Sequence, residues 1–215
     1  MTVPVAVIAS GSGTNLQALI DDAASPGHPV SLAVVVSDRL DAGALDRARA
    51  AGIPAVHVPR RGHPDRDAHD RAIGRVLINH GVEWICLAGY MRLVGPGLLD
   101  AYRWRVLNVH PALLPAFPGL DAQRQAHAAG VRIAGCTIHL VDEGTDTGPI
   151  VAQGAVPVLP TDDVDALRRR ILRMEHALYP RVLRWAVEGR LTVEDRRVIL
   201  DLPPGASASA FDPRP

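Results

Sequence analysis

Short, continuously apolar runs alternate with mixed segments through the first half of the chain. Residues 3–9 (VPVAVIA) are all apolar and end at SGSGTN, the pattern of a buried strand followed by a glycine turn. TNLQALIDDAA then reads as a helix, with Thr14 or Asn15 placed to cap its start. VSLAVVVSD predicts a second buried strand, AGALDRARAAG a helix closed by Gly52, and IPAVHVP a third strand. A polar helix is expected from about Asp65 to His80, VEWICLAGY is a fourth strand and RVLNVHP a fifth. Apolar strands separated by helices predict βαβ units and a parallel sheet covered on both faces.

The pattern changes after residue 110. IAGCTIHLVD and GPIVAQGAVPV read as strands close in sequence, separated by the acidic turn EGTDTG. Val164, Leu167, Ile171, Met174, Leu178, Val182 and Trp185 step by three or four, which predicts one long amphipathic helix packed on the sheet. Leu191 to Leu200 reads as a small hairpin, and PPGASASAFDPRP as a flexible tail. The expected fold class is α/β: a Rossmann-like open, mostly parallel sheet with helices on both faces, antiparallel C-terminal strands and a long C-terminal helix. It would form a single domain over residues 1–202, in halves 1–100 and 101–202, followed by the tail 203–215.

Composition narrows the chemistry. At 215 residues and 47% hydrophobic, the chain is long and apolar enough to bury a sizeable core. Lys+Arg and Asp+Glu are both 23, so there is no general pull toward nucleic acid or an anionic membrane. All 23 basic residues are arginine, which excludes a Schiff-base lysine and the lysine of a GxxxxGK[ST] phosphate loop. Cys86 and Cys136 lie within apolar runs and read as small buried hydrophobes, with no disulfide framework and no zinc spacing. The start MTVPVAVIASGSG lacks a basic region before its apolar run, and no apolar stretch approaches the ~18 residues of a membrane span. A cytoplasmic protein is expected.

Three stretches carry candidate chemistry. In SGSGTN, two glycines and two hydroxyls cluster between a strand and a helix, where backbone N–H groups and the helix N-terminus favour an anion. A plain βα turn is the alternative. Gly11 and Gly13 supply only part of a dinucleotide fingerprint, since Leu16 stands where a third Gly or Ala belongs. Asp38, after the second strand, keeps an NAD-dependent oxidoreductase open as a rival. Asn108 and His110 are two apart on a strand, so they project to one side at the carboxyl end where open α/β sheets bind ligands. The imidazole can shuttle a proton and the amide can donate to an oxyanion, although both could instead satisfy local backbone groups.

Asp146 lies in DEGTDTGP, which by itself reads as a solvated turn. A calcium loop fails there, with Gly144 at position three, Thr147 at six and Gln153 at twelve. If Asp146 faces His110, it would favour the charged imidazole. No G-x-S-x-G turn or activated cysteine supplies a nucleophile, so such a pair suits direct transfer between two bound substrates. His139 has at most a supporting role, Glu175-His176 read as the polar edge of a helix, and no histidine pair has metal-ligand spacing.

SGSGTNLQALI, LAGYMRLV, LNVHPALLPAFPG, GCTIHLVDEGTDTGPIVAQ and EHALYP occur in that order and at a spacing that closely resembles the folate-dependent formyltransferases. Within that superfamily they resemble the phosphoribosylglycinamide formyltransferase family, over roughly residues 3 to 200. The resemblance implies transfer of a formyl group from N10-formyltetrahydrofolate to the amine of glycinamide ribonucleotide, with no metal. It assigns Asn108, His110 and Asp146 to catalysis. It assigns Gly13, Thr14 and Asn15 to the ribonucleotide phosphate and Glu175 to its ribose, placing the phosphate half at 1–100 and the catalytic and folate half at 101–202. Arg66, Met91, Arg92, Leu93, Val94, Asn108 and the loop Asp142, Glu143, Gly144, Thr145 and Asp146 match folate-binding positions. Partners would be these small molecules alone, without nucleic acid or membrane, for a monomer or homodimer. Ala112, Leu140, Thr145 and Leu172 depart from the family pattern. The rivals within the superfamily are formyltetrahydrofolate deformylase and methionyl-tRNA formyltransferase. The chain's length leaves no room for the extra domains of either, and its neutral charge argues against tRNA.

Overall fold

The computed structural model describes residues 2–212 and 214. They form two internally packed units, residues 1–108 and 109–215. In the first unit the order is β1 (Val3–Ile8), α1 (Thr14–Ala23), β2 (Val30–Ser37), α2 (Gly43–Ala50), β3 (Ala55–His57), α3 (Arg66–Asn79), β4 (Trp84–Leu87) and α4 (Pro96–Leu99). Strand β5 (Val106–His110) runs across the boundary. β1 pairs in parallel with β2 and β4, β2 with β3, and β4 with β5. The continuous apolar runs explain this. Val5–Ile8 and Val34–Val36 are buried on both faces, which parallel strands flanked by helices require.

The second unit contains α5 (Ala122–Ala128), β6 (Ile133–Leu140), β7 (Ile150–Pro157), α6 (Val164–Val187), β8 (Leu191–Glu194), β9 (Arg197–Leu200) and β10 (Ser209–Phe211). β6 and β7 are antiparallel, β8 and β9 form a separate hairpin, and the hydrogen-bond order of the main sheet is β10-β7-β6-β5-β4-β1-β2-β3. Of the apolar residues predicted to line α6, all but Val164 are buried. Asp163 caps that helix by accepting the Ala166 N–H at 2.7 Å. Gly154 on β7 faces α6 so closely that a Cβ there would lie 2.3 Å from Met174.

Several expectations change. Neither Thr14 nor Asn15 caps α1. The cap is Gly13, at φ 74°, because a Cβ there would come 2.7 Å from the Cα of Ala44, and only glycine permits that approach. Helices α4 and α5 were not predicted, since four and seven residues are too short to show a helical period. Part of the segment read as a tail carries regular structure. Ser209–Phe211 add a parallel edge strand to β7, whose outer backbone groups are answered by Ala208 and Asp212. Among the described residues no helix is long and apolar enough to cross a membrane.

Candidate active site

In the second unit, His110 ends β5 and is buried, at 4% exposure. Its Nδ1 lies 3.3 Å from Oδ2 of Asp146, and its Nε2 lies 2.8 Å from the Phe117 carbonyl. An acceptor therefore faces each ring nitrogen. Phe117 reaches this position at φ 54°, a conformation uncommon for a bulky residue and held here by its surroundings. Asp146 also has a positive φ, 54°, and its Oδ2 accepts the Gly119 N–H at 2.8 Å. On its other side, Oδ1 lies 3.7 Å from Nε2 of His139, an electrostatic contact rather than a hydrogen bond. Burial alone would raise the Asp146 carboxyl, but His139, the Gly119 amide and His110 outweigh it and hold the group below its ordinary range. Asp146 is thus no solvated turn residue, as its sequence context suggested.

The loop after His110 is held by two residues that the sequence did not single out. Thr137 and Gln153 are directly opposed on β6 and β7. The Thr137 hydroxyl donates to the Ala112 carbonyl at 2.7 Å and accepts the Leu114 N–H at 3.0 Å. Gln153 Nε2 donates to the Leu114 carbonyl at 2.9 Å and to the Thr137 hydroxyl at 3.0 Å. The prolines stiffen this loop, and these bonds fix where it goes.

The loop carrying Asp142 to Asp146 is tied to itself. Asp142 Oδ1 accepts the Gly144 N–H at 3.1 Å and the Thr147 hydroxyl at 2.6 Å. Arg196, at the turn of the β8–β9 hairpin, donates to the Thr147 carbonyl at 2.5 Å. Glu175 is 5% exposed within α6, and its charge adds to burial in pushing the Cys136 thiol up.

In the first unit, Gly13, Thr14 and Asn15 form the start of α1, whose first turn carries no acidic residue. Arg47 braces the loop by donating to the Ser12 carbonyl at 2.9 Å and to Gln17 at 3.0 Å. Arg66, Met91, Arg92 and Leu93 come together around a cleft of ≈ 290 Å³, with Arg60, His69 and Asp70. Val94 is buried and lies outside that lining. Asp70 accepts the Gly95 N–H at 2.6 Å, and burial raises its carboxyl above the ordinary range despite that bond. Asp38 does not offer its carboxylate to a ribose, as a dehydrogenase would require. Oδ1 accepts from the Ser10 hydroxyl at 2.7 Å and Oδ2 from Arg92 Nε at 2.6 Å.

An open α/β fold that sets a histidine against a carboxylate at the end of a strand suits proton-assisted group transfer. The formyl transferase family matches residues 3–183, and the chain belongs to it. Phosphoribosylglycinamide formyltransferase of Bacillus subtilis (strain 168) is 44% identical over 179 residues, covering 83% of this chain and 92% of that protein. The trifunctional purine biosynthetic protein adenosine-3 of Drosophila pseudoobscura pseudoobscura is 45% identical over 190 residues, 87% of this chain; the match spans only 14% of that protein's length. The crystal structure of glycinamide ribonucleotide transformylase 1 from Symbiobacterium toebii superposes with a TM-score of 0.91 at 53% identity, covering 93% of this chain and 94% of that one.

Proposed function

We propose that the chain transfers the formyl group of N10-formyltetrahydrofolate to the amine of glycinamide ribonucleotide. The products are formylglycinamide ribonucleotide and tetrahydrofolate, and the step belongs to purine biosynthesis in the cytoplasm. The observation that carries this reading is the buried His110 with the part-buried Asp146 carboxylate 3.3 Å from its Nδ1, in a chain of the formyl transferase family. The similarity to phosphoribosylglycinamide formyltransferases over most of both chains supports the choice of acceptor.

In this reading the amine attacks the formyl carbon directly, and the carbonyl oxygen becomes an oxyanion. The Asn108 amide donates to that oxygen, and protonated His110 donates through Nε2 once the oxyanion replaces the Phe117 carbonyl as its acceptor, while Nδ1 stays toward Asp146. The bond from carbon to N10 then breaks. One proton leaves the attacking amine and one arrives at N10, so the exchange is balanced, with His110 and Asp146 passing it. His139 supports Asp146 from its second oxygen. Gly13, Thr14 and Asn15 receive the ribonucleotide phosphate, a role favoured by the backbone N–H groups of the α1 N-terminus, and Glu175 meets its ribose. Arg66, Met91, Arg92 and Leu93, which line the cleft, hold the folate, and the loop Asp142–Asp146 is assigned to it as well.

The test is absorbance-monitored turnover of a 10-formyl folate with and without glycinamide ribonucleotide. Deformylation that requires the ribonucleotide is expected. Equal release without it identifies a hydrolase, and no release in either case overturns the proposal.

A further inference from the structure

The segment from Ala88 to Gly95 joins β4 to α4 without regular secondary structure. It nevertheless presents Met91, Arg92 and Leu93 to the cleft, with Met91 63% and Leu93 44% exposed. Irregular backbone with exposed apolar side chains keeps one shape only if something else holds it. Two buried carboxylates do so here. Asp70 holds the far end through the Gly95 N–H, and Asp38 holds the near end through Arg92.

Ser10 completes the near end. It is the last residue before the glycine loop, and its hydroxyl donates to Asp38 at 2.7 Å while accepting the Met91 N–H at 3.2 Å. Its own N–H donates to the Gly89 carbonyl at 3.1 Å. The acceptor-only carboxylate fixes which way the hydroxyl points, leaving an oxygen lone pair for Met91. Side chains of Ser10 and Asp38 are both nearly inaccessible, whereas Arg92 remains partly exposed at the cleft. A bond between Arg92 and a desolvated carboxylate is stronger and more directional than one in water.

We propose that Ser10 and Asp38 are positioning residues for the formyl donor. Neither touches a reacting atom. Together they hold the Met91 amide and the Arg92 guanidinium in the arrangement that receives the folate. Because Ser10 directly precedes the glycine loop, the brace ties the start of that loop to the donor segment. This inference rests on the proposed function, and its test keeps the two apart.

Steady-state kinetics are measured for the unaltered chain, Ser10→Ala, Ser10→Thr and Asp38→Asn, varying each substrate in turn. Ribonucleotide-dependent turnover by the unaltered chain is the condition on which the functional reading stands or falls. Given that turnover, Ser10→Ala and Asp38→Asn are expected to raise the KM for the formyl donor by ~10-fold, the scale of one lost charge-assisted hydrogen bond. Turnover number and the KM for the ribonucleotide should move much less. Ser10→Thr, which keeps the hydroxyl, should restore most of the donor KM. The double variant should be little worse than either single one, because both remove the same brace. An unchanged donor KM in both single variants overturns the proposal. So does a parallel loss in kcat and both KM values, or a Ser10→Thr variant no better than Ser10→Ala.

Discussion

Asp38 and Asp146 are both desolvated aspartates held below the ordinary carboxylate range, and their partners separate them. For Asp38, burial is outweighed by the Ser10 hydroxyl and the Arg92 guanidinium, a partner that stays charged at any accessible pH. Its two oxygens are fully engaged at 2.7 and 2.6 Å. Asp146 faces two imidazoles instead, at 3.3 and 3.7 Å, and accepts a 2.8 Å bond from the Gly119 backbone amide. A carboxylate closed by arginine and a hydroxyl is a brace. One that faces imidazoles across longer contacts can respond when protons move. The backbone agrees: Asp146 is held at a positive φ beside Gly148, where a Cβ would strike the Leu140 carbonyl at 1.7 Å.

The contrast is tested most severely at Asp146. Asp146→Asn is expected to lower turnover by ~10²–10⁴, the range typical of general acid–base groups, and to displace the acidic limb of the pH–rate profile. Turnover unchanged between about pH 5 and 9 would make Asp146 a brace like Asp38, and the contrast would collapse. Asn108→Ala should cost ~10²–10³ in kcat if the amide meets the oxyanion. A loss confined to KM would instead make it a ground-state contact.

Thr137→Val removes the hydroxyl that serves Ala112, Leu114 and Gln153 while keeping the side-chain volume. It should destabilise the protein by about 1–3 kcal/mol in urea unfolding, because buried groups are left unsatisfied. Native stability in that variant would show that the prolines alone hold the loop.

The smallest expected effect is on acid stability. Asp38 and Asp146 are held below the ordinary aspartate range when folded, so the unfolded chain takes up protons first as pH falls. Their stabilisation is complete above that ordinary range and is lost as pH drops through the depressed folded values. Urea midpoints measured across the acidic range should fall less steeply in Asp38→Asn than in the unaltered chain. Identical slopes would mean that the Arg92 contact contributes nothing to folding.

Much of the fold was legible because burial writes itself into periodicity. VPVAVIA and VSLAVVVSD read as buried strands and are buried over Val5–Ile8 and Val34–Val36, and the spacing from Leu167 to Trp185 marks the buried face of α6. The short helices α4 and α5 left no such trace. Nor did strand β10, because SASAF is weakly apolar and takes up extended structure only against the edge of β7. The motif residues His110, His139 and Asp146 were visible as candidates, and Arg66, Met91, Arg92 and Leu93 line one cleft. Val94 is buried outside that cleft lining.

The sequence by itself determined the order of the longer strands and helices, the absence of lysine chemistry and the residue types able to act at the end of β5. Those follow from chain-local physics: hydrophobic period, turn chemistry and the proton-carrying capacity of a side chain. Tertiary structure alone decided which of two similar aspartates is braced and which faces histidines. It also decided that Thr137, Gln153 and Ser10 are the residues that hold the working segments. Hydrogen bonds between residues as far apart as Ser10 and Met91, or Leu114 and Gln153, depend on where the sheet brings backbone atoms together, and no local pattern encodes that distance.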